Sequence, residues 1–559
     1  MKKIILLFVI SAGIQILPSQ GQVNIQDSLA LVDFYNSTNG ATWTNSAGWL
    51  TAAPVSTWPG IQVTDNRVTS IGLSHNGLTG GLVSSFGNLT ALTGLDLSRN
   101  ALTGRIPNSI GNLVNLTSLK LYTNKFTDTI PASMGNLTNL TFLAIGGNQL
   151  TGSIPSSLGN LIKLSTFSLS LNQLTGIIPS SINNLVQMYI FELNNNKLTG
   201  SIPAGLGNFA FLSVLDLSHN QLTGSIPSEL GNLANLNNLV LNNNKLTGSI
   251  PTSFGGLSSL QQLYLNNNQL SGSIPSTFGN ITSNVGDFYL QNNQLSGKIP
   301  PSLGNLTGLE HLFLNNNQLS GPIPSTFGKL TRLQQLNLSN NQLSGTIPPS
   351  LDSLKNDLVG LYLLDLSNNR FTFAGMETLV TAFNFAVYAP QGNIPLHQNG
   401  NTFSVSAGGN LGSDTFRWYR NGVLSITKKG DSTFTPKYKG AISVAVTNKI
   451  ATQLTLFSDT IESTLAEPDE ALENIFSAKA SIYPNPAKDN LDITLHATQN
   501  ESEQIEIVNM DGKILLSQKL NVAAGNSIQN INVAKLAAGT YFVNIKSAEG
   551  QFALKFIKE

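Results

Sequence analysis

Histidine and carboxylate side chains are the groups in this chain that could perform acid–base catalysis or bind a metal. The five histidines are His75, His219, His311, His397 and His496. His75 and His219 take the same position in two repeats that lie six steps apart, which predicts a separation of about 29 Å for strands stacked about 4.8 Å apart. No motif pairs any of the thirty Asp and Glu residues. The placement of these groups therefore predicts neither catalytic residues nor a metal site.

Catalytic and nucleotide-binding motifs are absent from the sequence. It contains no H-E-x-x-H, G-x-S-x-G or G-x-x-x-x-G-K-[ST]. Because cysteine is also absent, disulfides, thiolate metal ligands and cysteine nucleophiles are excluded. Thirty basic and thirty acidic residues give a net charge of zero, which offers no attraction to nucleic acid. We expect no enzymatic activity and no cofactor.

Three aromatic residues at a regular spacing are better candidates for function, as part of a binding surface. Tyr264, Tyr289 and Phe313 are 25 and 24 residues apart and take the same position in three consecutive repeats. The residues two positions before them are Gln262, Asp287 and His311. Two residues with amide side chains follow each ring, two and three positions later, and lie on its other side. Such rings can stack on a sugar or anchor a peptide, whereas the simpler alternative is that aromatic residues pack along a ladder of strands.

The repeat that sets this spacing is L-x-x-L-x-L-x-x-N-x-L-[TS]-G-x-[IV]-P, which occurs thirteen times. Its asparagines are Asn76, Asn100, Asn124, Asn148, Asn172, Asn196, Asn220, Asn244, Asn268, Asn293, Asn317, Asn341 and Asn369. Eight consecutive steps are 24 residues long, and only the steps to Asn293 and Asn369 differ. A period of 20–29 residues with this pattern is typical of a leucine-rich-repeat solenoid.

Each part of the repeat has a physical role in such a solenoid. The L-x-x-L-x-L segment predicts a short strand with leucines pointing inward and the x positions on the concave face. The asparagine amide can satisfy backbone groups of its own rung and the next. Glycine permits a positive φ, and proline fixes the backbone where no N–H is needed.

This pattern closely resembles the plant-type leucine-rich repeat of plant receptor ectodomains and polygalacturonase-inhibiting proteins. The resemblance covers residues 58–372 and includes W-x-G-I-x-V at 58–63, where Val63 replaces the cysteine of that family. The missing cysteine argues against an oxidising eukaryotic secretory route. Since no kinase segment or membrane span follows, a receptor kinase is not expected.

Residues 22–67 are predicted to cap the first rung, with a helix beginning after Asp27 and a structural role for Trp43, Trp49 and Trp58. The solenoid with its closing helix, at 375–383, is assigned to 68–388.

Residues 389–462 alternate like strands, and Trp418 with the following Asn-Gly turn resembles an immunoglobulin-like domain. Residues 463–477 are interpreted as a linker.

The segment 478–559 closely resembles the type A C-terminal sorting domain of the type IX secretion system. The resemblance rests on Pro484-Asn485-Pro486, on Leu536-x-x-Gly539-x-Tyr541 and on a basic tail, and the alternation around Asp511-Gly512 predicts a hairpin in a small β-sandwich. It implies export across the outer membrane of a Gram-negative bacterium by that secretion machinery, followed by release or surface attachment.

Residues 1–21 have the basic start and short apolar core of a signal peptide. No later segment is long and apolar enough for a transmembrane span. The predicted fold class is mainly β with short helical and 3-10 segments: a solenoid of about 13 rungs, an immunoglobulin-like sandwich and a small C-terminal sandwich. The predicted location is outside the cell or on its outer surface, reached through the periplasm.

The sequence favours a recognition protein whose concave face binds an extracellular protein or polysaccharide. Two alternatives stay open. In the first, the protein is a structural adhesin in which the repeats are a spacer and the immunoglobulin-like module binds. In the second, the protein inhibits a foreign hydrolase, an alternative that rests on family analogy alone.

Overall fold

The computed structural model describes residues 23–281, 284–355, 360–463, 480–497, 499–510, 512–547 and 550–559. These form two compact units, bounded by 1–296 with 302–317 and by 297–301 with 318–559. The predicted signal peptide at 1–21 and all but the first residue of the predicted linker at 463–477 lie outside the described residues. The fold is mainly β with short 3-10 segments, which confirms the predicted fold class. The domain bounds stay predictions.

One sheet runs through the first unit, with one strand from each repeat. Its strands are Ile61–Thr64, Arg67–Gly72, Gly94–Asp96, Ser118–Lys120, Phe142–Ala144, Thr166–Ser168, Ile190–Glu192, Val214–Asp216, Asn238–Val240, Gln262–Tyr264, Asp287–Tyr289 and His311–Phe313. The first two pair antiparallel, and from Arg67–Gly72 onward the strands are parallel neighbours in chain order. In each three-residue strand the central residue is buried and at least its preceding neighbour is partly exposed, as the repeat predicts.

The remainder of each repeat forms a 3-10 turn and, in many repeats, a second short strand. The 3-10 turns are Ser84–Asn88, Asn108–Asn112, Ala132–Asn136, Ser156–Asn160, Ser180–Asn184, Ala204–Asn208, Ser228–Asn232, Thr252–Gly256, Ser276–Asn280, Pro301–Asn305, Ser325–Lys329 and Pro349–Leu354. The second strands are Thr79–Gly80, Ala101–Arg105, Lys125–Thr127, Ser271–Gly272, Gln294–Lys298, Gln318–Gly321, Gln342–Gly345 and Arg370–Phe371. The intervening glycine, as at Gly104, has a φ of 72°, a conformation that glycine adopts without strain.

The repeat asparagines join neighbouring rungs through buried hydrogen bonds. Asn196 is 8% exposed. Its Oδ1 accepts the backbone N–H of Leu174 at 2.9 Å, and its Nδ2 donates to the carbonyls of Leu169 and Leu193, both at 3.0 Å. Leu193 belongs to the same rung and the other two to the previous rung. The same pattern recurs at Asn148.

The direction of these bonds differs from the sequence prediction, which had them run to the following rung. Each repeat asparagine bonds to the rung before it because the backbone N–H that it accepts points toward the following rung. An example is the N–H of Leu174, two residues after Asn172, which donates to Asn196. At the first rung the N-terminal cap supplies the partner. Asn76 accepts the N–H of Asn45 at 2.7 Å and donates to its carbonyl at 3.0 Å.

The cap contains the helix Ile25–Ser37, and its predicted start after Asp27 is wrong. Asn24 is the N-cap, since its Oδ1 accepts the N–H of Gln26 at 2.8 Å. Asp27 is instead fully buried. Its carboxylate accepts two bonds from the Arg67 guanidinium at 3.0 Å and one from the Val68 N–H at 2.8 Å, which ties the helix to the sheet.

The three tryptophans of the cap are buried, in agreement with a structural role. Trp43 and Trp49 lie 4–5% exposed, and their ring centroids are 5.5 and 6.4 Å from that of Phe34. Trp58 packs against Trp49 with a centroid separation of 4.7 Å and the ring planes tilted by 34°. This cluster covers the apolar core of the first rung, which is what an end rung requires.

The second unit begins with the strands Gln335–Asn337 and Leu363–Asp365, which pair parallel, and continues with the closing helix Met376–Ala382. Antiparallel strands follow. One sheet contains Leu396–Asn399, Thr402–Val405 and Thr433–Phe434, and the other Asp414–Arg420, Val423–Lys429, Ala441–Asn448, Thr455–Phe457 and Ile461–Glu462. Trp418 is fully buried and stacks on Phe434 at 5.4 Å, as expected for a core residue. The immunoglobulin-like assignment stays a prediction.

A buried polar cluster joins the closing helix to these antiparallel strands. Asn448 donates from Nδ2 to Glu377 at 2.6 Å and to Asp414 at 2.7 Å. Glu377 also accepts the N–H of Asn410 at 3.0 Å. Asp414 is 2% exposed. Its burial raises the pKa of its carboxyl to about 6, the nearby Glu377 charge adds to the rise, and the bond from Asn448 opposes it.

The C-terminal segment is a small β-sandwich, as predicted. One sheet contains Ala480–Tyr483, Asn490–Ala497 and Gly525–Asn532, and the other Glu501–Asn509, Ile514–Val522, Gly539–Ser547 and Gly550–Lys558. Apolar residues of both sheets, among them Ile493, Ile505, Ile531 and Val543, form one buried core. The strands Glu501–Asn509 and Ile514–Val522 pair as the expected hairpin.

Replacing Asn196 with Leu leaves the Leu174 N–H buried without a partner. The carbonyls of Leu169 and Leu193 each lose one bond and keep another, from Asn172 and Asn220 respectively. Since a buried unpaired group costs about 1–3 kcal/mol, we expect the free energy of unfolding to fall by about 1–3 kcal/mol in urea denaturation followed by tryptophan fluorescence. The matched control is Asn235→Leu, an exposed asparagine with one bond to Ala210 at 2.8 Å, whose effect we expect within about 0.5 kcal/mol. Equal effects of the two changes would contradict this role of the repeat asparagine.

Asp414 is expected to make stability depend on pH. Its folded-state pKa of about 6 lies above the ordinary value of 3.8. The stability that its protonated form contributes is therefore fully present below pH 3.8 and is lost as the pH rises through about 6. Asp414→Asn should raise the calorimetric unfolding midpoint at pH 7 and leave it nearly unchanged at pH 4. A midpoint that falls at pH 7 would show that the charged form is the stabilising one.

Candidate ligand-binding surface

The six predicted binding residues lie together on the open face of the sheet. In-register pairing places Gln262, Asp287 and His311 in one column. It places Tyr264, Tyr289 and Phe313 in the next, and we call these three residues the aromatic strip. Register is kept although the repeat between Tyr264 and Tyr289 has one extra residue. All six side chains are partly exposed.

The rings of the aromatic strip contact one another. The centroids of Tyr264 and Tyr289 are 4.8 Å apart with the ring planes at 69°, an edge-to-face contact. Those of Tyr289 and Phe313 are 4.9 Å apart with the planes at 9°, a stacked contact. Both arrangements are favourable for aromatic pairs. The strip is therefore a continuous apolar line over three rungs, and its packing also agrees with the simpler ladder interpretation.

Asp287 holds three side chains of this surface in place. Its Oδ2 accepts the Tyr264 hydroxyl at 2.6 Å and the Gln262 amide at 2.9 Å, and its Oδ1 lies 2.7 Å from Nδ1 of His311. Burial of the phenol raises the pKa of Tyr264 well above its ordinary value, and the bond to Asp287 and its negative charge raise it further. The Tyr264 hydroxyl is therefore a donor already committed to the protein.

Two columns of amides border the aromatic strip on its other side. The outer column is a hydrogen-bonded ladder, in which Asn316 donates to Asn292 at 2.6 Å, Asn292 to Asn267 at 2.6 Å and Asn267 to Asn243 at 2.9 Å. These residues have φ near 56°, which asparagine tolerates better than most residues.

The inner amide column has unpaired acceptors next to the strip. Gln291 and Asn315 follow Tyr289 and Phe313 by two residues. Their side-chain oxygens, Gln291 Oε1 and Asn315 Oδ1, are buried and have no hydrogen-bond partner within the part of the chain that the structure describes. A buried acceptor without a partner costs free energy. Both side chains are partly exposed, so a rotation of either amide that brings its oxygen to a donor on a ligand would be favourable.

Two acidic residues at the strand position that the aromatic strip occupies in later repeats bond to their own repeats. Asp96 and Asp216 each accept the N–H and the hydroxyl of the serine two residues later, at 2.6–3.1 Å. Burial is also the main cause of the raised pKa of Asp216. Within the described ranges no group of three His, Cys, Asp or Glu residues could hold a metal ion. These carboxylates therefore cap their own strands.

The spacing of the repeats predicts that the six residues lie on one surface, but it does not predict the links between them. The Asp287 bonds, the amide ladder and the unpaired oxygens are visible only in the structure. A signal for the ladder was present, because an asparagine immediately precedes the repeat asparagine at 243, 267, 292 and 316. The bonds of Asp287 depend on rotamers that cross between rungs, which spacing alone does not specify.

Family models match two parts of the chain. Leucine-rich-repeat models match residues 66–126, 139–161, 163–185, 211–270 and 283–343. The model of the secretion system C-terminal sorting domain matches residues 481–559. The chain therefore contains leucine-rich repeats and a type IX secretion sorting domain. The sorting domain indicates secretion to the cell surface or the extracellular space, and neither helix in the described residues has the length and hydrophobicity to cross a bilayer.

Solved structures are similar to this chain over part of its length. PEPR1–AtPEP1 is 33% identical, covers 66% of this chain and 56% of its own, and has a TM-score of 0.57. A plant peptide hormone receptor, RGFR1 with RGF2, is 36% identical over 53% of this chain and 50% of its own, with a TM-score of 0.47. A TDR receptor is 31% identical over 58% and 64%, with a TM-score of 0.48. The chain thus spans about half to two thirds of each of these structures. No curated protein matches the sequence.

The link between Asp287 and Tyr264 can be tested by titration. Asp287→Asn removes the negative charge, so we expect the pKa of Tyr264 to fall, while burial keeps it above the ordinary value of about 10. The measurement is the absorbance of phenolate as a function of pH. The titration curve of a Tyr264→Phe variant is subtracted from that of the wild-type protein, and likewise for the Asp287→Asn protein, so that each difference reports Tyr264 alone. An unchanged Tyr264 titration in Asp287→Asn would show that the hydrogen bond between these two side chains is not formed in solution.

Proposed function

We propose that this protein is a recognition protein at the outer cell surface or in the surrounding medium, and that its repeat solenoid binds a protein or polysaccharide through the concave face. The observation that carries the proposal is the aromatic strip, held by Asp287 on one side and bordered by the unpaired oxygens of Gln291 and Asn315 on the other. Apolar area combined with a few oriented polar groups is typical of a ligand site.

The route of export is part of the proposal. A signal peptide at 1–21 takes the chain to the periplasm of a Gram-negative bacterium, and the sorting domain then engages the type IX machinery. The carboxylates of Asp96 and Asp216 are bound by the serines two residues later, which agrees with a binding role and no catalysis.

A spacer is the second candidate, and the stacking of Tyr289 on Phe313 favours it. Rings that pack on each other stabilise the ladder whether or not a ligand binds. In that case the antiparallel module at 389–462 makes the adhesive contact and the repeats set its distance from the surface.

Replacing Tyr264, Tyr289 and Phe313 together with Ala separates the two candidates. We expect a ligand found on glycan and secreted-protein arrays to bind the triple variant at least about a hundredfold more weakly, since buried rings dominate interfaces. The full chain is used, and its circular dichroism should be unchanged.

The matched control is Tyr122→Ala with Phe142→Ala. These two rings lie partly exposed on the same strand face in earlier repeats, near Arg99 and Lys120 respectively. We expect the control to keep its affinity. Binding that survives in the triple variant and is lost on deletion of 389–462 would favour the spacer.

A further inference from the structure

We propose that the ligand of the aromatic strip is a neutral polysaccharide that lies along the column direction. This inference rests on the proposed function, because it names the ligand class of the same surface. Three features carry it: the internal hydrogen bonding of the surface carboxylate, the repetition of the surface from rung to rung, and the polarity of the groups that the rings and amides present.

The carboxylate of this surface is bonded to neighbouring side chains. Within the strands Gln262–Tyr264, Asp287–Tyr289 and His311–Phe313 there is one carboxylate, Asp287, and one imidazole, His311. Glu310, which immediately precedes the last strand, also interacts within the protein. Asp287 and His311 pair at 2.7 Å, and Asp287 also accepts bonds from Gln262 and Tyr264. A cationic ligand would have to compete with these internal bonds for Asp287, and any charged ligand would lose part of its hydration. The surface therefore complements a ligand without net charge.

Chemical repetition favours a ligand that itself repeats. Each of the three rungs presents a ring, then an amide, then a second amide, with the pairs Asn266–Asn267, Gln291–Asn292 and Asn315–Asn316. The ring centroids advance by 4.8 and 4.9 Å from rung to rung. A polymer with the same unit throughout can make the same contacts at each rung. A peptide of varied sequence matches such a surface only where its side chains happen to fit.

The polar groups call for a ligand that has donors and acceptors on every unit. Tyr289 and Phe313 lie face against face, so they turn ring edges outward, and ring edges carry the positive end of the aromatic quadrupole. Oxygen atoms of a ligand are attracted to such edges. Beside them, the partly exposed amides of Gln291 and Asn315 have side-chain oxygens without a partner, which gain a donor when the amides turn toward a ligand. Sugar hydroxyl groups supply both, since each is a donor and an acceptor.

The amide ladder prepares the surface for such a ligand. Because Asn267, Asn292 and Asn316 are already bonded to one another, their side chains lose little rotamer freedom on binding. A surface ordered before binding avoids about 0.5–1.5 kcal/mol for each long side chain that would otherwise be immobilised. Weak individual contacts can then add up along a polysaccharide chain.

The test is affinity electrophoresis and calorimetry of the full chain with soluble neutral polysaccharides: a β-1,3-glucan, a β-1,4-glucan, a xyloglucan and an α-mannan. Alginate is the anionic comparison, and a peptide and secreted-protein array is run in parallel. We expect at least one neutral polysaccharide to bind, alginate not to bind, and Tyr289→Ala with Phe313→Ala to weaken binding at least tenfold. Asn315→Ala, which removes one acceptor and no ring, should weaken it severalfold, and the Tyr122→Ala with Phe142→Ala control should leave it unchanged.

Each other outcome contradicts the inference in a distinct way. Binding of a peptide or protein that depends on the strip, with no neutral polysaccharide bound, overturns the ligand class and leaves the proposed function standing. Preference for alginate overturns the argument from charge. Polysaccharide binding that survives loss of both rings places the site elsewhere, and the absence of any strip-dependent ligand in either arm overturns both the inference and the proposed function.

Discussion

A buried asparagine in each repeat is the constraint on which the rest of the solenoid depends. Its amide accepts one backbone N–H and donates to two backbone carbonyls, as Asn196 does for Leu174, Leu169 and Leu193. Backbone groups in the turn between strands have no ladder partner, and leaving them buried and unpaired is costly. The asparagine satisfies them and fixes the distance between rungs at the same time. The N-terminal cap repeats this solution through Asn45 and Asn76.

Fixed rung spacing turns the variable positions of the repeat into columns, so that side chains far apart in sequence become neighbours. This brings Tyr264, Tyr289 and Phe313 into one line and lets Asp287 reach residues of the rungs on either side. The same spacing allows asparagines to bond in a ladder beside that line. The surface is therefore a consequence of the backbone, and its chemistry is determined by a few substitutions at variable positions. The sorting domain indicates that this surface is exported to the cell surface or the extracellular space.

The sequence predicts the strands, the columns and the six surface residues because the repeat is regular and each position has one steric role. The sequence does not predict which partner a polar side chain bonds when several partners are compatible with the same repeat spacing. Asp27 is of a residue type that is common at the N-cap, but it is buried and bonds to Arg67 and to the Val68 N–H. The N-cap is Asn24. The backward direction of the asparagine bonds follows from N–H orientation, and the bonds of Asp287 follow from rotamers. Neither is encoded in periodicity.

The central claim, that the asparagines join the repeats into one ordered platform, is tested most directly by native-state hydrogen exchange. The relevant amides are those of Leu174, Leu198, Leu222 and Leu246, each of which donates to the asparagine of the following rung. The account predicts that peptides containing these amides exchange slowly and at a common rate, because they open only when neighbouring rungs separate together. Fast and unequal exchange, close to that of exposed loops, would contradict the account.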